Sequence, residues 1–251
     1  MGIIVAVVNQ KGGVGKTTTA VNLTAALTEA GKKVLLCDFD PQANATSGLG
    51  LDKRKLTRSI YDVVINDVPA ADAIINTPYG DVLPSSANLA GAAVELISMA
   101  DPNRRLGNAL DTVRDRFDVI FIDCPPSLEL LTLNGLAAAD SILVPVQCEY
   151  YALEGLADLM VTLRMVKKRI NPKLEIFGVA LTMLDGRTNF STQVAQEVRR
   201  HFPGKVYATV IPRNVRLAEA PSHGLPVTVY DRSSRGAAAY KAMAEEIIRK
   251  L

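Results

Sequence analysis

The chain is poor in cysteine, and its cysteines lie too far apart in the sequence for the usual motifs of a disulfide framework or a metal site. Cys37, Cys124 and Cys148 lie far apart among the 251 residues and form no C-x-x-C pair. A disulfide framework, a zinc knuckle and an iron–sulfur cluster all need cysteines in closer groups, so we expect none of them. Unpaired cysteines are typical of proteins in a reducing compartment, and we expect a cytoplasmic location.

Long hydrophobic runs are also missing, and no stretch approaches the length that spans a bilayer. The N-terminal apolar run, Ile3 to Val8, is too short for a signal sequence and has no basic residue before it. Met1-Gly2 does not begin a myristoylation motif, because Ala6 stands where serine or threonine is needed. We therefore expect no stable membrane association.

The chain has no strong excess of charge of either sign. Its 28 lysines and arginines nearly cancel its 26 acidic residues, which leaves a formal charge of +2. Any binding of nucleic acid must then come from local patches. The hydrophobic fraction of 48% can fill a large core, and no internal repeat or linker is visible. We expect one domain over residues 1–251.

A glycine-rich loop, Asn9–Thr19, lies between a short apolar run and a helical pattern. Glycines lack Cβ, so the backbone can approach an anion closely, and its N–H groups and the helix N-terminus can bind that anion. Lys16 adds a positive charge and Thr17 a hydroxyl suited to a metal ion. The loop is therefore predicted to bind phosphate. The alternative is an ordinary glycine-rich turn with two solvated lysines.

This loop departs from the usual P-loop pattern, G-x-x-x-x-G-K-[ST], at its first glycine position, and it carries a lysine that most P-loops lack. Gln10 stands in the first glycine position, and a second lysine, Lys11, lies inside the loop. Lys16 and the backbone amides can already satisfy the phosphates of one nucleotide. Lys11 therefore needs another target.

Three aspartates follow two apolar strands. Asp38 and Asp40 are two residues apart after the strand Val34–Cys37, so both side chains can point into the crevice where open α/β sheets bind ligands. Asp123 ends the apolar run that starts at Phe117, as in a Walker B motif, where it would hold magnesium through a water. The alternative for these aspartates is the capping of a turn or of a helix.

Strand and helix patterns alternate along the chain, and no strand has a polar face. This pattern predicts an α/β fold, a mainly parallel twisted sheet with helices on both faces. Asn44–Gly50 is predicted to be a loop, with short helices near Ile60–Ile65 and Ala70–Ile75. Residues 43–81 receive no functional assignment. A packed helix is predicted over Ser234–Leu251.

The glycine-rich loop resembles the deviant Walker A loop, K-G-G-x-G-K-[ST], of the ParA/MinD group of P-loop ATPases. Asp38-Phe39-Asp40-Pro41-Gln42 resembles switch I of that group, and Asp123-Cys124-Pro125-Pro126 resembles its Walker B and switch II segments. The resemblance covers essentially the whole chain and extends to the short chromosomal ParA proteins often called Soj.

The resemblance implies ATP and Mg²⁺ as cofactors of a Mg-dependent ATPase. It implies that Asp40 positions or activates the attacking water and that Lys11 reaches the nucleotide of a partner protomer across a two-fold interface. The implied catalytic residues are Lys11, Lys16 and Asp40, and the implied metal-binding residues are Thr17, Asp38 and Asp123. The implied nucleotide-binding residues are Lys11, Gly12, Gly13, Val14, Gly15, Lys16, Thr17, Thr18, Pro212 and Asn214, the last two beside the adenine.

The function implied by the resemblance is DNA partitioning for a chromosome or plasmid. An ATP-dependent homodimer would bind double-stranded DNA without sequence preference through Arg187 and Arg216, placing it on the nucleoid. A ParB-like centromere-binding protein would stimulate hydrolysis and release. No helix-turn-helix pattern precedes the loop, so operator-specific repression is not expected. Two alternatives stay open: a MinD-like membrane-positioning ATPase and an ATP-dependent metabolic ligase.

Overall fold

A computed structural model describes residues 1–127, 129–149, 152–185 and 189–251. Its strands are β1 (Ile3–Val7), β2 (Val34–Asp38), β3 (Ile75–Thr77), β4 (Gly80–Leu83), β5 (Val119–Asp123), β6 (Ser141–Gln147) and β7 (Glu175–Thr182). Its α-helices are α1 (Lys16–Glu29), α2 (Asn44–Gly48), α3 (Ile60–Ile65), α4 (Ala70–Ala73), α5 (Leu89–Ile97), α6 (Arg105–Asp111), α7 (Leu130–Ala138), α8 (Ala152–Arg169), α9 (Asn189–His201), α10 (Val215–Glu219), α11 (Val227–Tyr230) and α12 (Arg235–Ile248). Two short 3₁₀ turns cover Arg114–Arg116 and Ala220–His223.

The strands form one seven-stranded sheet in the order β3-β4-β2-β5-β1-β6-β7. Among the strands of the described residues, only the pairing of β3 with β4 is antiparallel. The predicted α/β fold with a mainly parallel sheet is confirmed. Because parallel strands share one direction, the carboxyl ends of β1, β2, β5 and β6 lie along one edge.

Both faces of the sheet are buried, which explains why its central strands are apolar throughout. Ile4 and Ala6 of β1 belong to a core shared with α3 and with α5 to α9. Val5 and Val7 point to the other face, where they pack with α1 and α12. The C-terminal helix is therefore part of the core, as predicted: Tyr240, Met243 and Ile247 are buried. Within the described ranges, no helix is both long and apolar enough to cross a membrane.

The structure corrects the prediction for the segment after β2. Asn44–Gly50 was expected to be a loop, but Asn44–Gly48 forms α2. A buried carboxylate explains the difference, because Asp38 accepts hydrogen bonds from both the backbone N–H and the hydroxyl of Thr46, at 2.7 Å each. A short polar sequence gives little sign of such a tertiary contact. The antiparallel edge strand β3 was also not predicted.

Candidate functional site

The predicted site residues meet at the carboxyl edge of the sheet. The glycine-rich loop leaves β1, whose last residue, Val7, pairs with Asp123 at the end of β5. On the other side of β5, Asp123 pairs with Asp38 at the end of β2. The topology thus brings together a loop and two aspartates that are distant in the sequence.

The loop has the backbone of an anion-binding turn. Gly13 and Gly15 have φ of 75° and 88°, in the left-handed region that favours glycine. Helix α1 begins directly after Gly15, so its first N–H groups and positive dipole end face the loop. The Thr182 hydroxyl holds the loop by donating to the carbonyl of Val14 at 2.8 Å. Asn9 ties it to β6 by donating to the carbonyl of Pro145 at 2.7 Å.

Lys16 points into the site, where it is 7% exposed. Its ammonium donates to the carbonyl of Lys11 at 3.3 Å. Burial lowers the pKa of Lys16, while the negative charges of Asp123 and Asp40 raise it. The lysine therefore lies among carboxylates in the free protein.

Asp123 is fully buried, and neither of its carboxylate oxygens has a hydrogen-bond partner of good geometry among the described residues. Burial and the charge of Asp38 raise the pKa of Asp123, while the nearby Thr17 hydroxyl and Lys16 lower it. A buried carboxylate without a hydrogen-bond partner lowers the stability of the fold unless a cation or a water molecule binds it. Oxygen donors fit Mg²⁺, and Thr17 with a water on Asp123 could hold it. No group of three or more acidic, histidine or cysteine residues suited to a metal occurs in the described ranges.

Asp38 is also fully buried, but its carboxylate oxygens accept hydrogen bonds. Besides its bonds to Thr46, its carboxylate accepts from the backbone N–H of Asp40 at 3.3 Å. Burial raises the pKa of Asp38 to about 6, against the lowering effect of these hydrogen bonds. The side chain therefore fixes the start of α2 and the backbone beside Asp40.

Ser85 completes this network. Its backbone N–H donates to the Thr46 hydroxyl at 2.9 Å, and its own hydroxyl donates to the carbonyl of Asp40 at 2.7 Å. Asp40 is thereby held from both sides, while its carboxylate accepts from the backbone N–H of Gln42 at 2.9 Å. Sequence reasoning missed Thr46 and Ser85 because neither lies in a recognisable motif. It also missed Thr182, which its position at the end of a parallel strand could have revealed.

Lys11 points elsewhere. Its ammonium lies 3.6 Å from a carboxylate oxygen of Glu149, just beyond β6, and the two side chains are 33% and 53% exposed. Of the two loop lysines, only Lys16 lies among the buried carboxylates. Lys11 is thus on the surface, paired with a residue that sequence reasoning did not single out.

A cavity of about 380 Å³ opens beside the loop. Its lining includes Gly15 and Thr18 on one side and Pro212 and Asn214 on the other. The Asn214 side-chain oxygen accepts from the backbone N–H of Arg216 at 2.8 Å and so caps α10. The cavity has the size of a small-molecule site and adjoins the glycine-rich loop.

Two arginines, Arg187 and Arg216, are predicted from the sequence to contact DNA. Arg187 lies outside the described residues. Arg216 is on the surface, with its side chain 48% exposed, and pairs with Glu219 at 2.8 Å and with Asp231 at 3.2 Å. The hydrogen bond and charge of Glu219 raise the pKa of Arg216. Contact with an anion would therefore have to replace these two partners.

Comparison with known proteins identifies relatives of this chain. The family model described as "AAA domain" matches residues 2–176. The sporulation initiation inhibitor protein Soj of Bacillus subtilis is 55% identical over 249 residues, which are 98% of each chain. The chromosome partitioning protein ParA of Myxococcus xanthus is 48% identical over 100% of this chain and 89% of its own.

The chain belongs to the Soj/ParA family of P-loop ATPases. Among solved structures, that of cobyrinic acid a,c-diamide synthase from Mycobacterium smegmatis, with bound ADP and magnesium, has a TM-score of 0.87. It is 40% identical and covers 99% of this chain and 95% of its own. Relatives named for chromosome partitioning are up to 49% identical, so family membership supports a partition ATPase over other users of this fold.

Proposed function

We propose that this protein is an ATP-dependent DNA-partitioning ATPase. Its ATP-bound homodimer binds double-stranded DNA without sequence preference and releases it on hydrolysis, which a ParB-like centromere-binding partner stimulates. The protein is one domain over residues 1–251 and acts in the cytoplasm, on the nucleoid.

The observation that carries the proposal is the different placement of the two loop lysines. Lys16 lies in the interior among Asp40 and Asp123, whereas Lys11 lies at the surface beside Glu149. A cation at the mouth of the site can reach a nucleotide bound by a second copy of the chain. ATP that contacts both protomers would stabilise the dimer, and loss of its γ-phosphate would weaken the dimer interface.

Within one protomer, the backbone amides of Gly12 to Thr18 and the Lys16 ammonium bind the phosphates. Pro212 and Asn214 contact the adenine in the adjoining cavity. Thr17 binds Mg²⁺ directly, and Asp123 and Asp38 bind it through water. When bound, Mg²⁺ neutralises charge on the phosphate oxygens. The unsatisfied carboxylate of Asp123 supports this assignment.

Asp40 positions the attacking water. The network of Asp38, Thr46 and Ser85 holds its backbone on both sides, which supports a positioning role that needs a fixed geometry. Asp38 also orients Asp40, because its carboxylate accepts from Thr46 and from the backbone N–H of Asp40. These bonds leave an acceptor site on its Oδ1 for a metal-bound water.

DNA binding is tested at Arg216. Arg216→Ala should reduce the affinity of the ATP-bound protein for duplex DNA and reduce its dependence on salt, since one phosphate contact per protomer is lost. Glu219→Gln is the matched control, because it frees Arg216 from its nearest carboxylate and should raise affinity. An affinity for duplex DNA that is the same in both variants as in the wild type would show that Arg216 does not contact DNA. DNA binding that is independent of ATP would contradict the proposed switch.

A metabolic ligase is the second candidate, favoured by the similarity to the protein named cobyrinic acid a,c-diamide synthase. The two functions differ in what stimulates ATP hydrolysis. A partition ATPase should be stimulated by DNA together with a centromere-binding protein, whereas a ligase should hydrolyse ATP in the presence of a carboxylate substrate and an amine donor. Steady-state ATPase assays with each set of additions separate them.

A further inference from the structure

A second cavity lies at the opposite edge of the sheet from the nucleotide site. Its volume is about 490 Å³, and it lies at the amino ends of β2, β4 and β5, next to the end of α1. Helix α1 has 14 residues, so roughly 20 Å of helix separates this cavity from Lys16. The volume is within the range of small-molecule sites. The proposed function assigns it no role.

Positive charge dominates the lining. Lys32, Lys33 and Arg116 contribute three cations, and Asp81 contributes the one carboxylate. None of the three cationic side chains makes an ion pair or a side-chain hydrogen bond within the described part of the chain. The Asp81 carboxylate is already engaged, since it accepts from the side-chain amide of Asn76 at 2.6 Å. The lining therefore carries two net positive charges and several free donors.

Two further features favour a built site over a chance group of surface lysines. Thr28 belongs to the lining, and its hydroxyl is buried and has no hydrogen-bond partner among the described residues. Gly80 has φ of 123°, and a Cβ there would lie 2.7 Å from Cγ2 of Thr24 and 3.0 Å from that hydroxyl. Glycine thus lets the turn between β3 and β4 pack directly against Thr28. The Arg116 guanidinium lies 5.5 Å from the centre of the Phe117 ring.

We propose that this cavity binds a small phosphorylated metabolite through its phosphate group. A phosphate monoester carries about two negative charges at neutral pH, which matches the net charge of the lining, and it offers several strong acceptor oxygens. Arg116 and the two lysines bind those oxygens, and the Thr28 hydroxyl donates the hydrogen bond that it lacks in the free protein. The rest of the cavity holds the carbon skeleton of the ligand.

The test is calorimetric titration with two probes, inorganic phosphate and glycerol 3-phosphate. The nucleotide site is first filled with Mg²⁺ and a non-hydrolysable ATP analogue, so that the glycine-rich loop cannot bind the probes. We expect saturable binding with one site per protomer. Arg116→Ala should weaken it about tenfold, the effect of losing one charge-assisted contact. Thr28→Val, which replaces the hydroxyl by a methyl group, should weaken it about threefold.

Lys53→Ala is the matched control, since Lys53 is an exposed lysine remote from the lining, and its titration should equal that of the wild type. Circular dichroism checks that each variant is folded. The proposal is overturned if neither probe binds once the nucleotide site is filled, or if Arg116→Ala binds them as tightly as the wild type. Protection of Arg116 by duplex DNA alone, with no binding of either probe, would make this cavity a DNA contact instead.

Discussion

The ammonium of Lys11 lies 3.6 Å from a carboxylate oxygen of Glu149, and both side chains are partly exposed. An ion pair of this kind contributes up to about 1 kcal/mol, because water screens the two charges. Removing Lys11 from Glu149 therefore costs at most about a fivefold change in an equilibrium constant. Lys11 is held in the free protomer but remains available to a second one.

This pairing leads to opposite expectations for its two members. Lys11→Ala should still bind ATP but should fail to dimerise with it, because the contact across the interface is lost. Glu149→Gln should dimerise as well as the wild type or up to about fivefold more tightly, because Lys11 no longer leaves a carboxylate. Light scattering with and without ATP measures both. A Lys11→Ala variant that dimerises normally would contradict the shared nucleotide site.

The unsatisfied carboxylate of Asp123 predicts a conflict between stability and activity. Asp123→Asn should abolish Mg-dependent hydrolysis but stabilise the metal-free protein by on the order of 1 kcal/mol, since it replaces a carboxylate whose charge is disfavoured by burial and by Asp38. Chemical denaturation in the presence of a chelator measures the free energy of unfolding. Loss of stability in this variant would mean that Asp123 has a structural partner in the free protein.

Asp38 predicts how the stability of the metal-free protein depends on pH. The pKa of Asp38 is about 6 in the folded protein and near 4 in the unfolded chain. As pH falls, Asp38 is therefore protonated in the folded state before it is protonated in the unfolded chain. This protonation contributes stability that is complete below pH 4 and is lost as pH rises through 6. Asp38→Asn cannot titrate. The free energy of unfolding of the wild type, measured relative to this variant, should fall between pH 4 and pH 7.

Asn214 combines two roles that one substitution can separate. Asn214→Asp keeps the oxygen that caps α10, and aspartate is a good cap, so stability should change little. The substitution removes the amide donor and adds a negative charge beside the nucleotide. We expect binding of a fluorescent ATP analogue to weaken about tenfold, as for one lost hydrogen bond in a buried site. Unchanged affinity for the ATP analogue would show that Asn214 does not contact the adenine.

The sequence predicted the parts of the site that depend on local pattern. The glycines of the loop, Lys16, and the aspartates at the ends of two apolar strands all follow from chemistry that acts over a few residues. The parallel sheet then places them together, since strand ends share an edge. Pro212 and Asn214 followed from family resemblance alone, and the structure places them in one cavity with Thr18.

The remaining features depend on contacts between distant segments. Helix α2 forms where a loop was expected because Asp38 holds Thr46, and Ser85 reaches the same network across 39 residues. Glu149 meets Lys11 only because β6 lies beside β1 in the sheet. No periodicity or motif encodes such pairs. They need the topology before they can be predicted.

The most direct test of the central claim is DNA binding by the wild type and by Lys11→Ala with ADP, with ATP and with a non-hydrolysable ATP analogue, each across a salt series. We predict that the wild type binds duplex DNA tightly with ATP and the analogue and weakly with ADP, with affinity that falls steeply as salt rises. Lys11→Ala should bind weakly in every nucleotide state. Equal DNA affinity of the two proteins with ATP, or equal affinity of the wild type with ADP and ATP, would contradict a nucleotide-joined dimer that controls DNA binding.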